Sequence, residues 1–243
     1  MQAVRLKTEH LFEPIGVDFT APRLFWNCEG GARQTAWQIV ASDDTGAPLW
    51  DSGRVESSSM HARWGGAPVP AKTRVIWKIR LWDETDTAGD WAAASFETGI
   101  DTWQAKWICG DYRVNKKRRY PVDCFRKAFT ASHVKKARLY ITACGLYEAR
   151  LNGEKAGNFV LAPGITDYRR RVQYQTYDVT ELLREGENVL TVQLADGWYR
   201  GSTGAWGIRN QYGTVTKFLA QLELTHADGS VQTVAADESW DWS

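Results

Sequence analysis

Apolar residues recur at every second position along most of this chain. In TRVIWKIRLWD, Val75, Trp77, Ile79 and Leu81 fall on one side of an extended backbone, with Lys78 and Arg80 on the other; that spacing predicts a half-buried strand. TAWQIVAS alternates in the same way through Trp37, Ile39 and Ala41. Further on, ARLYITACGLYEARLNGEKAG turns Leu139, Ile141 and Ala143 inward, predicts a bulge at Gly145, and resumes a buried face with Tyr147, Ala149 and Leu151. Asn152-Gly153 then signals a two-residue hairpin turn, because both positions need positive φ. ENVLTVQLADGWYRG repeats the alternation through Leu190, Val192 and Leu194. No apolar stripe at i, i+3, i+4, i+7 is long enough for a major helix. The best helical candidate is DVTELLREGEN, with Asp178 as N-cap, Glu181 three residues on and Gly186 as terminator, predicting a turn or two.

Short strands separated by Gly, Pro and Asp turns at roughly 8–12 residue spacing predict an all-β chain built from sandwiches or barrels. The pattern breaks at the GIDT turn of FETGIDTWQAKWI, which places a first domain at 1–100 and a second at 101–243. The sequence stops at ESWDWS, inside what reads as a strand. The second domain is therefore expected to be truncated at its C-terminus.

Composition narrows the function classes. Thirty Lys+Arg against twenty-nine Asp+Glu give no electrostatic case for nucleic acid or an anionic membrane. The one basic run, five cations in the seven residues from Arg113 to Arg119, reads as a solvated loop between strands. Thirteen Trp against two Met stand out, and indole faces suit sandwich cores and sugar-stacking surfaces equally. Trp26, Trp37, Trp77 and Trp82 sit in strand patterns and are assigned to packing. The four cysteines, Cys28, Cys109, Cys124 and Cys144, lack zinc-ligand spacing, and Cys28 and Cys144 are assigned as buried thiols. No metal or other cofactor is expected, and no Asp/Asn cluster specifies calcium. The N-terminal MQAVRLKTEHLFEP does not resemble a secretory signal, and no stretch approaches the ~18 apolar residues of a membrane span; a cytoplasmic location is the expectation.

Nucleophilic and general acid–base chemistry find little support. His10, His61, His133 and His226 are scattered, Glu148 and Asp178 have no partner carboxylate at a meaningful spacing, and GSTGAWG lacks the Lys-Ser/Thr ending of a phosphate loop. Two stretches do suggest a site. In DGWYRGSTGAWGIRNQYG, Trp198, Tyr199, Trp206 and Tyr212 offer stacking faces, while Asp196, Arg200, Arg209 and Asn210 offer hydrogen bonds to hydroxyls; a pyranose needs that mixture. A stretch this long without an element of its own is usually functional. The same aromatics suit closure of the sandwich end or docking on a companion domain, and both readings stay open. In APGITDYRRRVQYQTYDVT, Asp167, Tyr168 and the Arg169–Arg171 run either line a groove or interface or form a solvated charge cluster on an irregular edge. Tyr174, Tyr177 and Val179 alternate like core residues.

Taken in order, EPIGVDFTAPRLFWNCEG, QTAWQIVAS, WDSGRVES, TRVIWKIRLWDE and ASFETG resemble the fibronectin type III-like leader of bacterial α-L-rhamnosidases, glycoside hydrolase family 78. The set GLYEARLNG, APGITDY, QTYDVT, GENVL and DGWYRG resembles the β-sandwich that follows it there. The resemblance implies two consecutive β-sandwich domains, a fibronectin type III-like one and then a jelly-roll or galactose-binding-like one. It also implies a parent enzyme that removes terminal α-L-rhamnose with inversion. Such chemistry uses a general acid and a general base roughly 6.5–9.5 Å apart, which in that family lie in a downstream (α/α)-barrel. No catalytic residue is carried over, and this polypeptide alone is expected to be inactive. The implied partners are rhamnosides or other plant and microbial glycans and the chain's own catalytic domain. The alternative is an independent carbohydrate-binding module.

Overall fold

Alternating segments become strands wherever one face can be buried. In the computed structural model, which describes residues 1–204 and 206–243, the chain divides into the units Met1–Asp101 and Thr102–Ser243. The first unit contains β1 (Gln2–Thr8), β2 (Ile15–Val17), β3 (Arg23–Glu29), β4 (Ala36–Asp43), β5 (Pro48–Asp51), β6 (Val55–Glu56), β7 (His61–Arg63), β8 (Arg74–Trp82) and β9 (Ala92–Thr98). One sheet runs β1-β3-β7 and the other β2-β9-β8-β4-β5, with β6 also pairing with β4. The even-spaced face of β8 is fully buried at Val75, Trp77, Ile79 and Leu81. In register with it, Ile39 stands opposite Ile79 and Ala41 opposite Trp77. Trp26 meets Trp37 edge-on with ring centroids 5.7 Å apart, and its indole N–H donates to Gln34 Oε1 at 2.9 Å. Trp82 packs beneath the guanidinium groups of Arg54 and Arg80, each 4.9 Å from its ring. The tryptophans assigned to packing do pack.

The second unit contains β10 (Asp123–Ala131), β11 (Val134–Cys144), β12 (Leu146–Leu151), β13 (Glu154–Lys155), β14 (Gln175–Asp178), β15 (Gly186–Ala195), a single helical turn α1 (Gly197–Arg200), β16 (Ser202–Thr203), β17 (Ile208–Arg209), β18 (Lys217–His226), β19 (Val231–Ala235) and β20 (Asp241–Trp242). A five-stranded sheet, β13-β12-β15-β10-β20, faces a four-stranded sheet, β14-β11-β18-β19. Phe125, Leu151, Leu190, Val192 and Leu194 from the first interleave with Leu139, Ile141, Phe218 and Leu222 from the second. Burying each such side chain contributes about 1.5–3 kcal/mol. The Asn152-Gly153 turn forms as expected, with φ of 54° and 88°, and sets Leu151 opposite Glu154.

Three local expectations are corrected. Gly145 is not a bulge within one strand: β11 and β12 belong to different sheets, and Gly145 is the corner between them. Its φ is 147°, and a Cβ there would lie 2.6 Å from the Ala195 carbonyl oxygen. Second, β11 is buried on both faces from Ala137 to Cys144, not on one. Its outward side is covered by Trp103, which meets Tyr140 and Tyr174 edge-on at 6.5 and 5.7 Å. Third, the helical candidate reduces to a 3-10 turn at Thr180–Leu182 without a side-chain N-cap. Asp178 instead accepts from the Thr180 hydroxyl at 2.6 Å and its amide at 3.1 Å, and Gly186 opens β15. Asn188, fully buried, fixes this corner with its whole amide. Its Nδ2 donates to the carbonyls of Arg184 and Gly186 at 2.8 and 2.9 Å. Its Oδ1 accepts from Asn152 Nδ2 and the Arg184 amide at 2.8 and 2.9 Å.

Candidate functional site

The candidate stretch begins where β15 ends. Instead of a bare loop, Asp196–Gly213 contains the helical turn α1 and a small ribbon in which Ser202 and Thr203 pair with Arg209 and Ile208. The chain folds back on itself here because its polar groups satisfy one another. The Asn210 amide donates to the Arg200 carbonyl at 3.0 Å and the Tyr212 amide to the Tyr199 carbonyl at 3.3 Å.

At the centre lies a charge network. Asp196 receives Arg200 Nε on one oxygen at 2.6 Å and an Arg209 Nη on the other at 2.8 Å. Arg200 is only 2% exposed, so it acts inside the segment and not at its surface. Its Nη1 donates to the Tyr112 hydroxyl at 2.7 Å, and its guanidinium lies 5.1 Å from the centre of the Tyr120 ring. Burial works against the charge on Arg200, but the hydrogen bonds to Tyr112 and Asp196 and the Asp196 charge outweigh it and hold its pKa above the ordinary arginine value. Tyr112 continues the network by donating to Asp123 Oδ2 at 3.2 Å and stacks on Trp242 at 5.7 Å; Trp242 Nε1 donates to Asp123 Oδ1 at 3.3 Å. Burial is the main cause that pushes the Tyr112 hydroxyl up.

The second candidate stretch meets the first. Tyr168 touches Tyr199 edge-on at 5.3 Å and Tyr212 at 5.1 Å, and Arg169 lies 5.5 Å above the Tyr212 ring. Burial, with the neighbouring Cys144 and Tyr212, raises the Tyr168 pKa to about 12. Its hydroxyl donates to the Gly164 carbonyl at 3.0 Å. Asp167 pairs with Arg169 at 3.0 Å, and Arg169, Arg170 and Arg171 are exposed. The segment's glycines make room for its own aromatics: a Cβ on Gly213 would fall 2.3 Å from the Tyr199 hydroxyl oxygen. Among the described residues Trp206 joins neither cluster, and it is 88% exposed. Trp198 is half-buried in the helical turn.

Sequence reasoning missed Tyr112 and Tyr120, whose rings lie against Arg200, and Asp123 and Trp242, which hold Tyr112 from behind. The available signal was the pair of tyrosines flanking the basic run. That run is itself exposed from Lys116 to Arg119, in line with a solvated loop. Its last residue and Tyr120, Pro121 and Val122 border a cleft of about 370 Å³ shared with Asp196, Gly197, Gly201 and Arg209. Among the described residues no group of three or more His, Cys, Asp or Glu gathers into a metal-ligand set.

Residues 3–102 match the family model of the Rha78A-like N-terminal immunoglobulin domain, and residues 132–243 match that of the α-L-rhamnosidase N-terminal domain. The chain corresponds to the N-terminal region of the family 78 α-L-rhamnosidases. It is 34% identical to an α-L-rhamnosidase of Formosa agariphila over 96% of its own length and 27% of that protein's. With an α-L-rhamnosidase of an Alteromonas species the figures are 31%, 96% and 27%. The crystal structure of an Aspergillus terreus α-L-rhamnosidase superposes on the whole chain with a TM-score of 0.92 at 32% identity, over 29% of that protein. The α-L-rhamnosidase from Dictyoglumus thermophilum gives 0.88 at 31% identity, over 30%. The chain thus spans less than a third of the length of these relatives.

Proposed function

We propose that this chain is the non-catalytic N-terminal portion of an α-L-rhamnosidase that removes terminal α-L-rhamnose from glycosides with inversion. The acid and base belong to a downstream (α/α)-barrel, on which the Asp196–Gly213 segment docks. The observation that carries this reading is the colinear match of both domains to the N-terminal part of relatives of which the chain spans 27%. The chemistry of the site agrees. An inverting hydrolase needs two facing carboxyl groups roughly 6.5–9.5 Å apart. The cleft at the segment is bordered by one acid, Asp196, with an arginine on each oxygen.

The test is incubation of the 243-residue polypeptide with an aryl α-L-rhamnoside beside the same sequence carried in a full-length rhamnosidase. The long chain releases the aryl alcohol; the short one releases none above buffer. Turnover by the short chain would overturn the assignment.

A second reading, a carbohydrate-binding module that holds rhamnosides without cleaving them, is favoured by Trp206, an indole 88% exposed in a segment rich in hydrogen-bonding groups. Titration with L-rhamnose under Trp fluorescence, with glucose as the comparison, separates the two. A rhamnose-specific change that Trp206→Ala abolishes supports the module.

A further inference from the structure

The basic run ends at the cleft. Arg119 and Arg209 both border it, and Tyr120, Pro121 and Val122 give it apolar lining. Arg209 also ties the segment to the basic run, donating to the Arg118 carbonyl at 3.1 Å. The local charge is lopsided. Asp196 is the one acid on the border, and both its oxygens are already engaged by Arg200 and Arg209. Arg119 is exposed and has no ion-pair partner among the described residues; the same holds for Lys116, Lys117 and Arg118. A guanidinium fork without a carboxylate, beside a second one already fixed in place, suits a planar anion that accepts paired N–H donors. The cleft, about 370 Å³, has room for one substituted sugar ring and lacks the length of a groove that follows a nucleic-acid backbone.

We propose that this cleft binds a sugar bearing a carboxylate, a uronic acid unit, with Arg119 and Arg209 taking the carboxylate and Tyr120 and Val122 lying against the apolar edge of the ring. The choice of a saccharide rests on the rhamnosidase reading above; the choice of an anionic one rests on the arginines. The site reads charge and is separate from Trp206, so it selects an acidic unit within a glycan and not rhamnose itself.

Calorimetric titration of the polypeptide with D-glucuronate, L-rhamnose, acetate and a short single-stranded oligonucleotide tests this. Glucuronate is expected to bind about tenfold more tightly than rhamnose or acetate and to weaken as salt rises from about 50 to about 300 mM. Arg119→Ala should lower glucuronate affinity about tenfold, and Arg119→Lys should retain part of it. Because Arg119 is exposed, both variants should melt like the parent. Equal affinity for glucuronate and rhamnose, equal affinity for acetate, tighter binding of the oligonucleotide, or an unchanged affinity in Arg119→Ala would each overturn the proposal. The readout is binding, so its failure is distinct from failure of the rhamnosidase reading, which the aryl-rhamnoside assay on the long chain decides.

Discussion

Arg200 Nη1 donates to the Tyr112 hydroxyl at 2.7 Å across 88 residues of sequence, and Tyr112 donates in turn to Asp123. This contact joins the start of the second unit to its aromatic segment and, with Asp196 on Nε, gives the buried guanidinium partners on two of its three nitrogens. The segment's shape is therefore set from below, by a cation that solvent scarcely reaches.

Arg200→Met removes the hub and leaves Tyr112 and one oxygen of Asp196 without their donors. We expect a loss of about 2–4 kcal/mol in the stability of the second unit, with Arg200→Lys losing less because it keeps the charge but not the fork. Urea unfolding followed by Trp fluorescence measures it; Trp242, stacked on Tyr112, lies within the disturbed region. A loss under about 0.5 kcal/mol for Arg200→Met would mean the network does not hold the segment.

Gly213→Ala tests the packing of Tyr199. The new methyl would meet the phenol ring at 2.3–2.5 Å, so the ring must swing out and break its contact with Tyr168. Overpacking of this kind costs about 1–3 kcal/mol. Double-mutant comparison with Tyr199→Ala should show the Gly213→Ala penalty shrinking, since the obstructing ring is gone.

Asp178 gives the second unit an acid-sensitive contact. Its carboxylate pairs with the buried Arg138 at 2.8 Å. Burial pushes this carboxyl up, but Thr180 and Arg138 outweigh it and hold the pKa below the ordinary value. A group depressed in the folded state contributes stability above its unfolded pKa, about 3.9, and loses it as pH falls through the folded value. Asp178→Asn should cost about 1 kcal/mol at pH 7, a figure discounted because the carboxylate is half exposed. As pH falls below the unfolded value and through the lower folded one, the difference from the parent should fade, as thermal melts across the acid range will record.

Trp206→Ala should leave thermal stability within about 0.5 kcal/mol of the parent, because the side chain is 88% exposed. In a full-length rhamnosidase it should weaken association or alignment of the two parts, read as a lower melting temperature of the whole enzyme with the isolated polypeptide unchanged. Equal effects on both would place Trp206 in local packing instead.

The aliphatic alternation was decisive for the core. Val75, Trp77, Ile79 and Leu81, and Leu190, Val192 and Leu194, can only be buried together on one side of an extended strand, and the structure buries them so. The Asn-Gly turn is equally local, since few other pairs adopt two consecutive positive φ values at low cost. The extent of β11 was not legible in this way. The alternation turned only Leu139, Ile141 and Ala143 inward, but the other face is buried too, with Trp103, distant in sequence, against Tyr140 and itself packed on Tyr174.

Sequence alone determined the kind of matter in the candidate site: aromatics, arginines and glycines in one stretch, and tyrosine beside arginines in another. Tertiary structure decided what each does. It buried Arg200 against Tyr112 and Tyr120, joined Tyr168 to Tyr199 and Tyr212, and left Trp206 in solvent. The physical reason is range. Side-chain alternation and turn chemistry are settled by neighbours a few residues apart, whereas the partner of a charge or a ring is whichever group the sheet order brings near.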